Sequence, residues 1–110
     1  MMTAAETSSI VAPLAADSRS GYSLRREFYC DDAVFAADMQ QVVGRKWIVA
    51  GHVERVPHKG DYFLFRIGNE SIIVIRSDES SIQAFYNVCR HRGSLICTAA
   101  SGRLARLTCP

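Results

Sequence analysis

Ala84-Phe85-Tyr86-Asn87-Val88-Cys89-Arg90-His91-Arg92-Gly93 is the stretch on which the reading of this chain turns. It enters as a strand, Ile82 to Tyr86, and leaves as a loop in which a thiol and an imidazole stand two positions apart. At that spacing in a turn both side chains point to one side while Arg90 points away, so Cys89 and His91 form a candidate ligand pair for a transition metal. After a gap of seventeen residues from His91 comes a third candidate, Cys109, followed by Pro110.

Working outward, residues upstream of the run alternate with the period of strands. Trp47 to Val53, Asp61 to Ile67, Ser71 to Arg76 and Ile82 to Tyr86 are the predicted strands. Pro57 to Gly60, Gly68-Asn69-Glu70 and Ser77 to Ser81 supply the turn chemistry between them. Ile72 to Ile75 is a continuous apolar run and is expected to be buried on both faces. Downstream, Ser101-Gly102 reads as a turn and Leu104 to Thr108 as a short strand that delivers Cys109 to a second loop. Two loops leaving strand ends can face one another and hold a metal group at the tip of a small antiparallel domain.

The first half reads differently. Residues 1–21 are rich in Ala, Ser and Thr and are expected to be a flexible leader. Residues 22–46 are expected to hold an extended segment, Tyr22 to Tyr29, and one helix, Ala33 to Val43, capped by Asp31 or Asp32 and ended by Gly44. Phe35, Met39, Val42 and Val43 then share its buried face. The predicted fold is mostly β: an antiparallel domain over 47–110, incomplete at its C-terminus, preceded by one N-terminal helix.

Composition excludes several classes of function. At 110 residues with 48% apolar content the chain has the material of a packed core in one domain or less. A net charge of +2 from dispersed acids and bases provides neither the basic stripe of a nucleic-acid binder nor an acidic tail. No uncharged apolar run approaches the roughly 20 residues of a membrane span. The N-terminus lacks Lys or Arg before Arg19, and Pro13 breaks its apolar run, unlike a secretory signal. A cytoplasmic location is therefore expected, where cysteines and histidines in clusters hold metal more often than disulfides.

A Rieske-type iron-sulfur centre uses two thiolates on one iron and two imidazoles on the other. Cys89, His91 and Cys109 supply three of those four ligands. The stretch from Trp47 to Pro110 resembles the Rieske domain of the ring-hydroxylating oxygenase large subunits. Besides the run from Ala84 to Gly93, the resemblance is carried by Trp47 with Gly51-His52, Gly60-Asp61-Tyr62-Phe63, Arg76, Gly102 and Cys109-Pro110. In that family the pattern is C-x-H, about seventeen residues, then C-x-x-H, and the three residues named align with its first three ligands.

The resemblance implies a [2Fe-2S] cluster that accepts electrons from a reductase or ferredoxin. It passes them to a mononuclear iron in a following catalytic domain of the same or a neighbouring subunit, where dioxygen is activated. It also implies that the fourth ligand, a histidine, lies beyond Pro110, that the chain is a fragment inactive as an oxygenase by itself, and that the full-length protein forms trimers. No membrane or nucleic-acid partner is implied. A free-standing Rieske ferredoxin is the alternative, although the N-terminal segment is longer than such carriers usually need.

A structural zinc module is the third reading, with Cys97 completing a Cys3His set from Cys89, His91 and Cys109. Against it, Cys30 and Cys97 match no ligand position and are expected to be buried apolar fillers. His52 reads as a strand-end residue and His58 as an exposed turn residue. Arg90 and Arg92 are expected to serve loop hydrogen bonds or to offset cluster charge, Trp47 and Phe85 to be core aromatics, and Gly93 to need a positive φ.

Overall fold

The computed structural model describes residues 3–110. The chain divides into two compact units, residues 1–49 and 50–110.

The first unit is helical: α1 spans Ala4–Ala16, α2 Glu27–Cys30 and α3 Asp32–Gln41, followed by a 3₁₀ turn at Val43–Arg45. Regular structure in α1 was not expected from composition. Its cause is local, because the Thr3 hydroxyl accepts the Glu6 N–H at 3.2 Å while the Glu6 carboxylate accepts the Thr3 N–H at 2.6 Å. Two free donors of the first turn are thus satisfied reciprocally. Met1 and Met2 of the predicted leader lie outside the described residues.

The expected helix is present as α3, and Asp31 is its cap, accepting the Ala33 and Val34 N–H groups at 2.8 and 3.2 Å. Its buried face is Val34 and Ala37; Phe35 and Val42 are exposed. The predicted face is thus rotated, because α1 packs against α3 and small residues there allow close approach. Part of the segment expected to be extended, Tyr22 to Tyr29, is taken up by α2. Cys30, expected to be buried, is exposed and donates its thiol to the Arg26 carbonyl at 3.3 Å.

The second unit is a four-stranded antiparallel sheet of order β3-β2-β1-β4, with β1 Asp61–Ile67, β2 Glu70–Arg76, β3 Ile82–Tyr86 and β4 Ser101–Arg103. The first three match the predicted strands closely. The register sets Tyr62 opposite Ile75 and Leu64 opposite Ile73, so these side chains share one face. Tyr62, Ile73, Ile75 and Cys97 form the core there, covered by Leu64, Ile96, Leu104 and Leu107. On the other face Phe63 is buried and Arg55 stacks on its ring at 3.8 Å, whereas Ile72 and Val74 are only half-buried. Burial of β2 is therefore complete on one face alone.

Two predicted strands are absent. Trp47 to Val53 runs irregularly into a 3₁₀ turn at Val53–Arg55, because β2 and β4 occupy both sides of β1 and a period-two pattern without a ladder has no strand to join. Trp47 is fully exposed and Phe85 is 44% exposed, so neither is the core aromatic expected. His52, expected at a strand end, instead caps the 3₁₀ turn, its Nδ1 accepting the Glu54 N–H at 3.3 Å. Near the C-terminus the strand is Ser101–Arg103, the predicted turn, while Leu104 and Leu107 lie over the core as irregular chain.

Gly60 joins β1 to this last segment. Its N–H donates to the Arg76 carbonyl at 2.8 Å and its carbonyl accepts the Leu104 N–H at 2.9 Å. Its φ is +85°, and an added Cβ would collide with the Leu104 carbonyl oxygen. Gly60→Ala is expected to cost about 3 kcal/mol, the sum of left-handed strain and a displaced chain. Chemical denaturation of the two proteins checks this.

Candidate metal centre

The first ligand loop leaves β3 at Asn87 and returns at Cys97. Asn87 is only 2% exposed, and its amide clasps both ends of the loop. Oδ1 accepts the N–H groups of Ile96 and Cys97 at 3.1 and 2.8 Å, while Nδ2 donates to the Cys97 carbonyl at 2.7 Å and to the Ser71 hydroxyl at 3.2 Å. Its own backbone N–H donates to the Ser71 carbonyl at 2.8 Å. A buried amide so fully satisfied holds one loop conformation, because any other leaves buried polar groups unpaired. Asn87 was visible in the sequence only as part of the run; nothing local foretold partners ten residues away.

Inside the clasp the loop closes on itself. The Cys89 N–H donates to the Ser94 carbonyl at 2.8 Å, and the Gly93 N–H donates to the Cys89 carbonyl at 2.9 Å. Gly93 has a φ of +72°, the positive value expected for it, which lets the chain reverse directly after Arg92. That reversal turns the His91 N–H toward the Cys89 sulfur at 3.5 Å.

The second segment is anchored by Asp61, which is nearly buried at the start of β1. Its carboxylate accepts Arg103 Nε at 2.6 Å and Nη2 at 3.3 Å, and the His58 N–H at 2.9 Å. His58 is an exposed turn residue, as expected, and its Nδ1 lies 3.0 Å from the same guanidinium. The Asp61–Arg103 pair fixes β4 to β1, and β4 leads through Leu104 and Leu107 to Cys109.

Hydrogen bonding to Arg103 is the main reason that the Asp61 carboxyl is held down at about 2. A depressed folded value means that the pair stabilises the fold above the ordinary carboxylate value of about 4 and loses that contribution as pH falls toward 2. Asp61→Asn is expected to melt lower than the unsubstituted chain at neutral pH, with the gap closing between about pH 4 and 2. Thermal melts across that range check the sign. Asp78, held at about 2 chiefly by its hydrogen bond from Ser81, titrates equally in both proteins and cancels in the difference.

These two supports bring Cys89, His91 and Cys109 to the wall of one cavity of about 590 Å³, together with Val88, Ile96 and Leu107. The Cys109 thiol donates to the Pro110 carbonyl at 3.5 Å. The influence of Cys109, followed by that of the His91 and Arg92 backbone N–H groups, lowers the Cys89 thiol, while that of Cys89, then burial, raises the Cys109 thiol. Cys89 is half-buried; His91 and Cys109 are exposed.

Two cysteines and a histidine on the wall of one cavity suit a Rieske donor set, in which both sulfurs serve one iron. Among the described residues no three Cys, His, Asp or Glu side chains converge on one metal position. A two-iron group needs no such convergence, whereas a Cys3His zinc site does. Cys97, the proposed completion of the zinc site, is 4% exposed in the apolar core, and burial raises its thiol. That is the filler role expected of it.

Comparison with known proteins agrees with this geometry. The family model for the Rieske [2Fe-2S] domain matches residues 46–110. The chain is 43% identical over 89 residues to a glycine betaine monooxygenase oxygenase subunit of Pseudomonas aeruginosa, covering 81% of this chain and 21% of that protein. It is 34% identical over 93 residues to the biphenyl 2,3-dioxygenase subunit alpha of Rhodococcus jostii, covering 84% of this chain and 20% of that one. The crystal structure of naphthalene 1,2-dioxygenase from Rhodococcus sp. superposes with a TM-score of 0.82 at 25% identity, over 100% of this chain and 25% of that one. The chain thus spans about a fifth of the length of the curated relatives it matches. With a matching model over more than half its residues, the chain belongs to the Rieske [2Fe-2S] domain family.

Proposed function

We propose that this chain is the electron-entry domain of a ring-hydroxylating oxygenase large subunit, with Cys89 and Cys109 holding one iron of a [2Fe-2S] cluster and His91 the other. The observation that carries this reading is the convergence of Cys89, His91 and Cys109 on the wall of one cavity. The group, when bound, supplies one-electron redox chemistry at a potential above that of an all-cysteine cluster. The chain's own residues do the rest. Asn87 presets the first loop, Asp61 and Arg103 anchor the second segment, and the His91 amide donates to the Cys89 sulfur, which stabilises negative charge there.

In this reading the domain occupies residues 47–110, and a histidine from residues that follow Pro110 completes the ligand set. Electrons arrive from a reductase or ferredoxin in the cytoplasm and leave for a mononuclear iron in a catalytic domain of the same or a neighbouring subunit, the whole protein being a trimer. Among the described residues no helix is long and apolar enough to cross a membrane. The oxygenase reading is favoured over a free-standing ferredoxin because the relatives are oxygenase subunits and the match to them extends beyond the domain into the helical unit. The higher identity to the glycine betaine enzyme favours a quaternary amine over an arene as substrate.

Chain produced under anaerobic, iron-replete conditions is expected to contain iron and acid-labile sulfide, at less than one cluster per chain because one ligand position lacks its imidazole. Zinc without sulfide would overturn the reading. For the substrate, oxygen uptake by the full-length protein is expected with glycine betaine and not with biphenyl.

A further inference from the structure

We propose that the sheet unit carries a second binding site, for an amphiphilic organic anion: an alkyl or aryl body ending in a carboxylate. A cavity of about 710 Å³ lies beside Gly60, within the size range of small-molecule sites. Part of its lining is apolar, from Ile75 of β2, Phe85 of β3, Leu104 and Leu107. The rest holds Lys59, Arg76, Arg103 and Arg106, and no acidic side chain. Cys89, His91 and Cys109 do not line it, so the site stands apart from the candidate metal centre and does not depend on that reading.

Three observations point to an anion. Arg76 is half-buried, yet its Nε and Nη1 donate only to the backbone carbonyls of Val56 and Glu79. A positive charge partly withdrawn from water thus has no carboxylate partner. Lys59 and Arg106 have no ion pair or side-chain hydrogen bond among the described residues, whereas Arg103 is paired with Asp61. Gln83 stands opposite Ile75 in the ladder and so shares the apolar side of the sheet, where its amide also lacks a side-chain partner.

The two parts of the lining recognise two parts of one ligand. A carboxylate accepts charge-assisted hydrogen bonds, for which Lys59, Arg106 and the unengaged Nη2 of Arg76 are donors. An alkyl or aryl body removes water from Phe85, Leu104 and Leu107. Inorganic anions lack the second contribution and neutral chains lack the first.

Titration of the 110-residue chain with octanoate, followed by the backbone amide signals in ¹H–¹⁵N spectra, tests the site. The shifts are expected to centre on Ser77, Gln83 and Ala105 and to spare Cys89 to His91. Octanol and inorganic phosphate should each bind at least about tenfold more weakly than octanoate. Lys59→Ala combined with Arg106→Ala removes two exposed, unpartnered side chains, so the variant should keep the spectrum of the folded chain while losing about tenfold in octanoate affinity. Equal affinity for octanoate and octanol, or an unchanged affinity in the double variant, would overturn the anion. Shifts centred on Cys89 to His91 would overturn the location. A peptide of six glutamates that binds more tightly than octanoate would overturn the small-ligand assignment in favour of a docking surface for an acidic protein.

Discussion

Asn87→Ala is expected to destabilise the sheet unit by about 3 kcal/mol, a large share of the total stability of a domain this small. The substitution removes three hydrogen bonds between the clasp and the returning chain and leaves the buried Cys97 N–H without an acceptor. Alanine also leaves a void where a 2% exposed amide was packed. Asn87→Asp discriminates the cause. It keeps the acceptor for the Ile96 and Cys97 N–H groups but sets a carboxylate against the Cys97 carbonyl where the amide had donated, so it should also be strongly destabilising. Equilibrium denaturation followed by intrinsic fluorescence measures both. A loss under 1 kcal/mol in either would show that the loop is held by its own internal bonds and not by the clasp.

Cys89→Ser and Cys109→Ser are each expected to abolish iron-sulfide binding, while Cys97→Ala retains it. The first two line one cavity, whereas Cys97 is buried in the core cluster with Tyr62, Ile73 and Ile75. Serine in place of a ligand thiolate substitutes a hard, weakly acidic oxygen for the soft donor that iron-sulfur chemistry needs. Reconstitution with ferrous iron and sulfide under nitrogen, with free imidazole supplied as the fourth ligand of the proposed set, gives the required contrast. The unsubstituted chain should gain iron and sulfide on adding imidazole, His91→Ala should need more imidazole to reach the same content, and the two serine variants should gain none. Retention of cluster by Cys109→Ser would show that the second loop does not contribute a ligand.

The candidate ligands Cys89 and His91 and the central strands could be read from local pattern because their determinants are local. Asp61 to Ile67, Ser71 to Arg76 and Ile82 to Tyr86 carry β-rich residues between strong turns, and each found an antiparallel partner. Cys89 and His91 are two residues apart, so the turn that aims them is written in the same few positions, with Gly93 at its positive φ. The capping box at Thr3 and Glu6 was equally local and was outweighed in the reading by the composition around it.

What failed depended on distant neighbours. Trp47 to Val53 has strand-like composition but no free edge of β1 to join, and Ser101 to Arg103 has turn-like composition yet is a strand because β1 offers it one. The face of α3 was misjudged because α1, which packs on it, was not foreseen.

The residues alone therefore determined the chemistry of this protein: two thiols, an imidazole and the antiparallel strands that carry them. Only the tertiary structure decided that Asn87 and the Asp61–Arg103 pair are what bring Cys109 to Cys89. The bonds involved join residues 9 to 42 positions apart, and an amide or a carboxylate becomes a clasp only when the fold buries it beside donors that no short stretch of sequence contains.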